Sequence, residues 1–524
     1  MVQATIPAQV LHLPSEIYGD IVDHIQDDTV QQDILALTRA FPRAPIPIER
    51  LFRDIRLSHR EQIVPFYTRI RRDELARGWV RTFSLETWQA DADVVINILA
   101  LFPRLRVLKM FMGPNFAPDH LEELFTRTRE GLEYLSLRFR PYVQRATYYQ
   151  FLAGAYFDSL LFALAKWPAS SIPRLSIVQD PLDQSIAPVG KFAQPFVFHR
   201  LDPFSTLSCA PSLATMAYFR LRIPSRQISR FIHQPQRSLP SLTFLDLSTC
   251  DVRFLDVEAI LGRFSKLDHL ILDQCNLITQ RELPEGGLES QWATLGKTMA
   301  LSGVKLMKDR EKKLRIWIEA TATSDDPQSN ESSPGTTSKG KKGRRGLATA
   351  TISLRQMTEV KQAPAFATGA KTAKELGLKP DSKIRVLPPK PRLQSIAVSL
   401  PPHANTEQLG PADIRAEFEL GWAQGIAQLM SIRTRLKTSW YNGTAKVVSF
   451  ENLGSEGDGE DTEDGDREYG LSGLKYVENE ETFALGMDVD RCPILCLAGS
   501  WTPSEGHTAN CGHDIGREIW TDNL

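Results

Sequence analysis

The residues of this chain that are best suited to chemistry are cysteines and histidines near its end. Sulfur and imidazole side chains occur together within residues 492–513, namely Cys492, Cys496, His507, Cys511 and His513. Thiolate and imidazole groups are ligands that zinc prefers in proteins. Their spacing, C-x3-C followed by H-x3-C-x-H, matches no common structural zinc site. We therefore assign no metal and no cofactor, and we keep as an alternative an enzyme or a zinc protein built on these residues.

The sequence around these residues favours a role in packing. The apolar segment 493–495 predicts a buried strand flanked by Cys492 and Cys496, with the histidines on a polar loop that follows. The chain contains no phosphate-binding glycine loop, nucleophile elbow or dinucleotide fingerprint. The sequence therefore predicts no catalytic residue and a protein that is not itself an enzyme.

Composition limits the classes of partner. The chain has 524 residues, of which 42% are hydrophobic, so it can form a large core. A net charge of -1 gives no overall attraction to nucleic acid or to a membrane surface. No apolar run approaches the roughly 20 residues that span a bilayer, and residues 1–10 lack the pattern of a signal peptide. We expect a soluble protein, cytoplasmic or nuclear, without membrane or nucleic-acid partners.

The elements that must position any site repeat along the chain. Two stretches share the pattern L-x-x-L-x-L-x-x-C-x-[LV] at an offset typical of leucine-rich repeats. The first contains Leu242, Leu245, Leu247 and Cys250, and the second contains Leu267, Leu270, Leu272 and Cys275. In such a repeat a short strand points its apolar side chains inward, and one unit alone cannot bury them, so units must stack. The two cysteines are predicted to be small packing residues after their strands.

Looser copies of the pattern extend the series. They are Val80, Phe83 and Leu85; Leu105, Leu108 and Met110; Leu132, Leu135 and Leu137; Ile172, Leu175 and Ile177; and Leu213, Met216 and Tyr218. A helix is predicted over 91–102, between two of these strands. The pattern predicts an α/β fold in which the repeats form an irregular leucine-rich-repeat solenoid, or horseshoe. The alternative is a generic α/β protein whose apolar strands mimic the repeat.

Residues 11–57 differ in kind from the repeats. Leu13-Pro14 opens a helix, with proline in its first turn and Glu16 near the positive end of the helix dipole. Ile17, Ile21 and Ile25 recur at helical spacing and form one narrow apolar face of this helix. A unit this small has a marginal core, so it is expected to pack against a partner or a neighbouring domain.

This N-terminal segment resembles an F-box, the short helical module that docks a receptor onto the Skp adaptor of a cullin-RING ubiquitin ligase. The stretch 51–57 is further similar to the start of F-box proteins from mushroom-forming fungi. The resemblance implies a non-catalytic substrate-recognition subunit, whose repeats bind an unknown target protein. It also implies that the Skp-type adaptor is bound by Leu13, Pro14, Glu16, Ile17, Ile21, Ile25, Leu35 and Leu37. The alternative is a leucine-rich-repeat scaffold without a ligase role, in which these helices cap the solenoid.

Changes in composition divide the chain into segments. We predict an F-box-like module at 11–57, repeats at 58–320, a disordered linker at 321–381 and a terminal repeat or cap at 382–524. The last segment includes a strand through Leu393, Ile396 and Val398, a helix over 411–437 and an acidic loop at 454–466. A basic cluster at 339–345 is either a nuclear import signal or solvated linker charge.

Overall fold

Ten short strands pair side by side in one sheet in the computed structural model of this chain. The structure describes residues 13–25, 29–113, 115–139, 142–143, 155–167, 172–180, 194–195, 202–235, 238–275, 277, 287–324, 383–399, 410–450, 474–486, 491–499 and 506–520. The predicted linker beyond residue 324, the basic cluster and the acidic loop lie outside these residues. The division of the chain into sequence segments stays a prediction.

The chain forms two compact units, each built from separate stretches of sequence. The first unit comprises Met1–Ser302, Pro391–Gly425 and Val489–Leu524, and the second comprises Gly303–Lys390 and Ile426–Asp488. Among the described residues, no helix combines the length and the apolar character that crossing a membrane requires.

The strands have the following bounds: β1 Asp54–Leu57, β2 Thr82–Leu85, β3 Val107–Met112, β4 Tyr134–Phe139, β5 Tyr142–Val143, β6 Arg174–Gln179, β7 Gln194–Pro195, β8 Tyr218–Arg222, β9 Phe244–Asp246, β10 His269–Ile271, β11 Ile384–Val386, β12 Ser395–Ala397, β13 Lys446–Phe450, β14 Leu474–Tyr476 and β15 Ile494–Cys496. The large sheet has the order β1-β2-β3-β4-β6-β8-β9-β10-β12-β15, and every neighbouring pair in it is parallel. The strands of this sheet are therefore arranged in the order in which they occur along the chain. The predicted α/β class is confirmed.

The α-helices of the described residues have the following bounds: α1 Ser15–Asp23, α2 Val30–Ala40, α3 Glu49–Arg53, α4 Arg60–Ile70, α5 Glu74–Trp79, α6 Ala92–Ala100, α7 Pro118–Leu124, α8 Ala155–Ala165, α9 Asp202–Leu207, α10 Ser229–His233, α11 Phe254–Arg263, α12 Gly287–Ser324, α13 Pro411–Tyr441 and α14 Gly512–Ile519. The helix predicted over 91–102 forms as α6, where the Asp91 side chain accepts a hydrogen bond from the backbone N–H of Val94. Helix α12 continues through residue 324, past the predicted start of the linker at 321.

Strand pairing aligns the apolar positions of the repeats. Leu135 pairs with Leu108 on one side and Leu175 on the other, and Leu270 pairs with Leu245 in the same way. Side chains alternate between the two faces of a strand, so one face of the sheet collects the repeat leucines. The predicted repeat residues that are buried are Leu105, Leu108, Leu132, Leu135, Leu242, Leu245, Leu247, Cys250, Leu267, Leu270 and Leu272. Cys275 is half-buried.

The register at β8 differs from the predicted one. The sequence pattern placed Leu213, Met216 and Tyr218 at the three apolar repeat positions. In the sheet, Phe219 lies beside the second apolar residue of both neighbouring strands, so Met216, Phe219 and Leu221 occupy these positions. Leu213 instead lies in a short 3-10 turn. Apolar residues at 213, 216 and 219 follow one another at the same spacing, and therefore the pattern allowed both registers.

The sheet also extends beyond the predicted repeats at both ends. Ile55 of β1 pairs with Phe83, and Leu495 of β15 pairs with Ile396. Both of these terminal residues are buried. The first strand had been assigned to the helical module, whereas the last forms at the buried segment predicted over 493–495.

The two repeat cysteines make equivalent hydrogen bonds. The Cys250 thiol donates to the carbonyl oxygen of Leu221 at 3.2 Å, and the Cys275 thiol donates to that of Leu247 at 3.3 Å. In each case the acceptor belongs to the preceding strand segment. The two thiols thus hydrogen-bond to backbone carbonyl groups near the ends of the preceding strands.

The second unit has its own sheet, in which β11 pairs parallel with β13, and β13 pairs antiparallel with β14. Its core includes Ile384, Val386 and Val448. The buried guanidinium of Arg433 donates to the backbone carbonyls of Pro388, Thr482 and Phe483. One side chain therefore connects three segments of this unit.

Truncation of a repeat leucine tests the packing of the large sheet. Leu245→Ala removes a fully buried side chain, and we expect it to lower the free energy of unfolding by about 2 to 5 kcal/mol. Leu255→Ala is the matched control, since Leu255 is 71% exposed on α11 and its loss should change stability little. Chemical denaturation followed by circular dichroism measures both. Equal effects of the two variants would contradict the packing described.

Thiol reactivity tests the placement of the repeat cysteines. Burial raises the pKa of Cys250 to about 12 and raises the pKa of Cys275 well above its ordinary value. Since the thiolate is the reactive form, a thiol reagent should modify both residues slowly in the native protein. Cys209 is exposed and should react rapidly. Mass spectrometry of labelled peptides gives the three rates, and rapid labelling of Cys250 in folded protein would contradict the structure.

Candidate functional site

The N-terminal helices form a small core of their own. Its four buried side chains are Tyr18, Val22, Ile34 and Ile46. Three of the predicted adaptor-binding residues pack against this core and are half-buried, namely Leu13, Ile25 and Leu37. The helical spacing of Ile17, Ile21 and Ile25 predicts one apolar face, but α1 buries the neighbouring face through Tyr18 and Val22 instead.

Four apolar residues in this part of the chain are exposed to solvent. Ile17, Ile21, Leu35 and Ile48 are each between 41% and 46% exposed, and we call these four residues the apolar helix surface. Ile17 and Ile21 are four residues apart on α1 and therefore lie on the same side of it. Pro14 and Glu16, which were also predicted to contact the adaptor, are exposed nearby in sequence. Neighbouring exposed apolar side chains, such as Ile17 and Ile21, are typical of a surface that binds another protein.

The structure also brings together four of the five cysteine and histidine residues near the end of the chain. The ligand atoms of Cys496, His507, Cys511 and His513 all lie within 4.8 Å of one another. Nδ1 of His507 is 3.6 Å from Sγ of Cys496 and 3.8 Å from Sγ of Cys511, and Nδ1 of His513 is 3.9 Å from Sγ of Cys511. We call these four residues the thiol–imidazole cluster. Cys492 is not part of it, and burial raises the pKa of that thiol to about 12.

Different elements position the members of the thiol–imidazole cluster. Cys496 is the last residue of β15, Cys511 is the N-cap of α14, and His513 lies in the first turn of that helix. Asn510, which has a φ of 58°, makes the left-handed turn that leads into Cys511. The guanidinium of Arg415 donates to the carbonyl of Leu495 at 3.3 Å and to Oγ1 of Thr508 at 3.2 Å. Arg415 thus connects the strand that carries one thiol to the loop that precedes the other.

A carboxylate orients one of the imidazoles. Oδ2 of Asp273 lies 2.7 Å from Nε2 of His513, and both side chains are almost fully buried. Burial by itself lowers the pKa of His513, but the hydrogen bonds to Asp273 and Cys496 outweigh it and raise the pKa to about 9. Nδ1 of the same ring is left to face the thiols.

The two thiols of the cluster have pKa values that move in opposite directions. A hydrogen bond from the Cys511 thiol lowers the pKa of Cys496, against the opposing effect of burial, and the same hydrogen bond raises the pKa of Cys511. Two sulfurs that lie beside two imidazoles form a strong set of ligands for a soft or borderline metal ion.

Segment 506–520, which carries three members of the cluster, covers part of the sheet face opposite the repeat leucines. Trp520 packs on that face with ring centroids 5.8 Å from Tyr134 and 6.0 Å from Phe244. The guanidinium carbon of Arg220 lies 4.4 Å from the Trp520 ring centroid. A covering aromatic ring of this kind stabilises a buried cation.

A buried ion pair lies beneath this cover. The Asp246 carboxylate accepts hydrogen bonds from Arg222 at 2.7 Å and 3.1 Å, and its Oδ2 is 3.6 Å from Nε of Arg220. Its Oδ1 accepts hydrogen bonds from Ser248. Burial raises the pKa of Asp246, but the two arginines outweigh burial and leave the pKa below its ordinary value.

In comparisons with known proteins, no family model matches this chain, and no curated protein sequence matches it.

Sequence reasoning missed Asp273 and Arg415, which hold the cluster in place. One signal was present in the sequence, since Asp246 ends β9 and Asp273 follows the end of β10 by two residues. Asp273 nevertheless lies far from His513 along the chain, and no local pattern connects them.

Replacement of Asp246 tests the buried ion pair. Asp246→Asn removes the charge that faces two buried guanidinium groups, and we expect it to lower the free energy of unfolding by about 3 to 5 kcal/mol. A carboxylate whose pKa is lowered by folding stabilises the protein above its unfolded pKa, and this contribution is lost as the pH falls through the folded pKa.

The stability of Asp246→Asn should therefore fall less steeply in acid than that of the wild type. Denaturant melts at pH 7 and at a series of lower pH values measure both effects. Asp251→Asn is a control, because Asp251 pairs with Arg253 at 3.4 Å, and the Arg253 side chain is 61% exposed. Wild-type and Asp246→Asn curves that stay parallel in acid would contradict a stabilising carboxylate at this position.

Proposed function

We propose that this protein is a substrate-recognition subunit of a Skp/cullin/F-box ubiquitin ligase. Its N-terminal helices bind the Skp-type adaptor, and its repeats bind a target protein. The observation that carries the proposal is the apolar helix surface: Ile17, Ile21, Leu35 and Ile48 are exposed although the core of the module is already filled by other side chains. Three of these residues, Ile17, Ile21 and Leu35, are among those on which the resemblance to an F-box rests.

The sheet supports the leucine-rich-repeat part of the proposal. Ten parallel strands follow one another in chain order, as stacked repeats require, and their apolar positions are in register. The hydrogen bonds of Cys250 and Cys275 to the preceding strand recur at the same repeat position. We propose on these grounds that the repeats form a leucine-rich-repeat solenoid.

The mechanism of such a receptor is proximity. The protein holds a target beside a conjugating enzyme that other subunits supply, and this raises the effective concentration of the target lysines. No catalytic group is needed on the receptor itself. The target would bind the part of the sheet face opposite the repeat leucines that segment 506–520 leaves open. Polar and charged residues of β1 to β3 that are not fully buried lie there, among them Arg56 and Lys109.

Binding to a purified Skp-type adaptor tests the proposal. Truncation of an apolar residue at the centre of an interface commonly costs about 2 kcal/mol or more, so Ile17→Ser with Ile21→Ser should weaken adaptor binding at least about 100-fold. The double variant should keep its fold, since neither residue contributes to the module core. Titration calorimetry of the full chain with the adaptor measures the affinity.

Two other exposed leucines provide a matched control. Leu75 and Leu255 are 73% and 71% exposed and lie outside the N-terminal helices, so the pair Leu75→Ser and Leu255→Ser should leave adaptor binding unchanged. Wild-type protein that is folded and does not bind the adaptor would overturn the ligase role. It would leave the repeat scaffold as the function.

A further inference from the structure

We propose that Cys496, His507, Cys511 and His513 bind one zinc ion, which holds segment 506–520 against the sheet. The proposal does not depend on the receptor function, because all four ligands and the covered sheet face belong to the first compact unit.

The distances fit a tetrahedral site. With Zn–S of about 2.3 Å and Zn–N of about 2.0 to 2.1 Å, a sulfur and a nitrogen ligand are about 3.6 Å apart. Three of the four S···N pairs in the cluster are 3.6, 3.8 and 3.9 Å apart. All four ligand atoms lie within 4.8 Å of one another. Oxygen-preferring cations such as Mg²⁺ and Ca²⁺ do not suit this donor set.

The residues around the ligands also fit a metal site. A histidine that binds zinc usually donates its other ring N–H to a carboxylate, which fixes the tautomer and the ring orientation. The carboxylate of Asp273 accepts such a hydrogen bond from His513, and its Oδ2 lies 2.7 Å from Nε2 of the ring. Nδ1 of the same ring faces the thiols. The carboxylate is itself buried, so its position does not depend on the exposed surface.

The charge of the site favours its burial. Two thiolates neutralise one Zn²⁺, so the complete site carries no net charge from the metal and its sulfur ligands. Cys496, Cys511 and His513 are buried, and His507 is half-buried. With four protein ligands there is no open position for water or substrate, which is the arrangement of structural and not catalytic zinc. The site therefore stabilises the fold locally instead of performing a reaction.

The ligands come from two sides of one contact. Cys496 belongs to the last strand of the sheet, whereas the other three ligands precede or begin α14. One ion bound to all four would join the C-terminal segment to the sheet edge. At the far end of the same segment, Trp520 packs on Tyr134, Phe244 and Arg220. Metal binding thus helps to keep the buried ion pair of Asp246 covered.

Metal content tests the proposal directly. The full chain is produced with a cleavable tag that contains no histidine and is purified under reducing conditions without chelator. Inductively coupled plasma mass spectrometry should then detect one zinc ion per chain. After exchange with Co²⁺, the protein should show the intense visible absorption of tetrahedral cobalt with thiolate ligands.

Variants identify the ligands. Cys511→Ser and His507→Ala should each lose the zinc and the cobalt absorption, whereas Cys209→Ser should keep both, since Cys209 is an exposed cysteine outside the cluster. Cys492→Ser should also keep both. Asp273→Asn should retain the metal with about 10- to 100-fold lower affinity, because it loosens a ligand without removing it. Competition with a chromophoric chelator measures that change.

Removal of the metal ion from the wild-type protein with a chelator tests the proposal even if a ligand variant fails to fold. Because the ion binds the folded state, its removal should lower the midpoint of thermal unfolding, and added Zn²⁺ should restore it. Folded, reduced wild type that contains no zinc and takes up neither Zn²⁺ nor Co²⁺ would overturn the proposal. Zinc retained by both Cys511→Ser and His507→Ala would also overturn it.

Discussion

The structure depends on the burial of one apolar face of a parallel sheet, strand by strand. Leu245 is fully buried because Phe219 and Leu270 lie on either side of it in neighbouring strands, and no single three-residue strand could shield its own side chain. A shift of one residue at any strand would turn its leucines to the other face. The same alternation places Tyr134, Arg220, Phe244 and Asp246 opposite the leucines. The strand register that buries the leucines therefore also determines which residues lie on the opposite face of the sheet.

A sheet of this kind has two edges, and both are close to helices that donate hydrogen bonds to them. At the first strand, the Gln31 side chain of α2 donates to the carbonyl of Asp54 at 2.6 Å. At the last strand, Arg415 of α13 donates to the carbonyl of Leu495 at 3.3 Å. Unpaired backbone groups at an edge invite pairing with other chains. Each terminal strand thus has a backbone acceptor occupied by a side chain of the same protein.

Sequence reasoning could predict many strands of the large sheet because strands have a fixed two-residue alternation, which a single stretch of sequence contains. It could not choose the register at β8, where apolar residues recur at a three-residue spacing. It also could not decide which side of α1 is buried, because Ile17 and Ile21 on one side and Tyr18 and Val22 on the other are both apolar. Only the packing of α1 against Ile34 and Ile46 makes that choice.

The thiol–imidazole cluster was harder to predict for a different reason. Known zinc motifs have ligands at short, regular spacings because one turn or hairpin supplies them in pairs. Here the end of a strand, a loop and the start of a helix supply the ligands, and the orienting carboxylate of Asp273 comes from another strand end. These side chains come close to one another only when the sheet has formed. The residue types in the sequence indicated metal chemistry, but their spacing matched no template.

Helix α14 depends on these long-range contacts for its own stability. An isolated helix of fewer than about 12 residues is marginal in water, and each glycine in a helix costs roughly 1 kcal/mol relative to alanine. The eight-residue α14 contains Gly512 and Gly516, and both lie against the sheet. A Cβ at Gly512 would be 3.3 Å from Ile271, and one at Gly516 would be 3.4 Å from Phe244. The glycines thus allow close contact with the sheet at the expense of helix propensity. Such a helix needs a fixed point at each end, which the thiol–imidazole cluster and Trp520 provide.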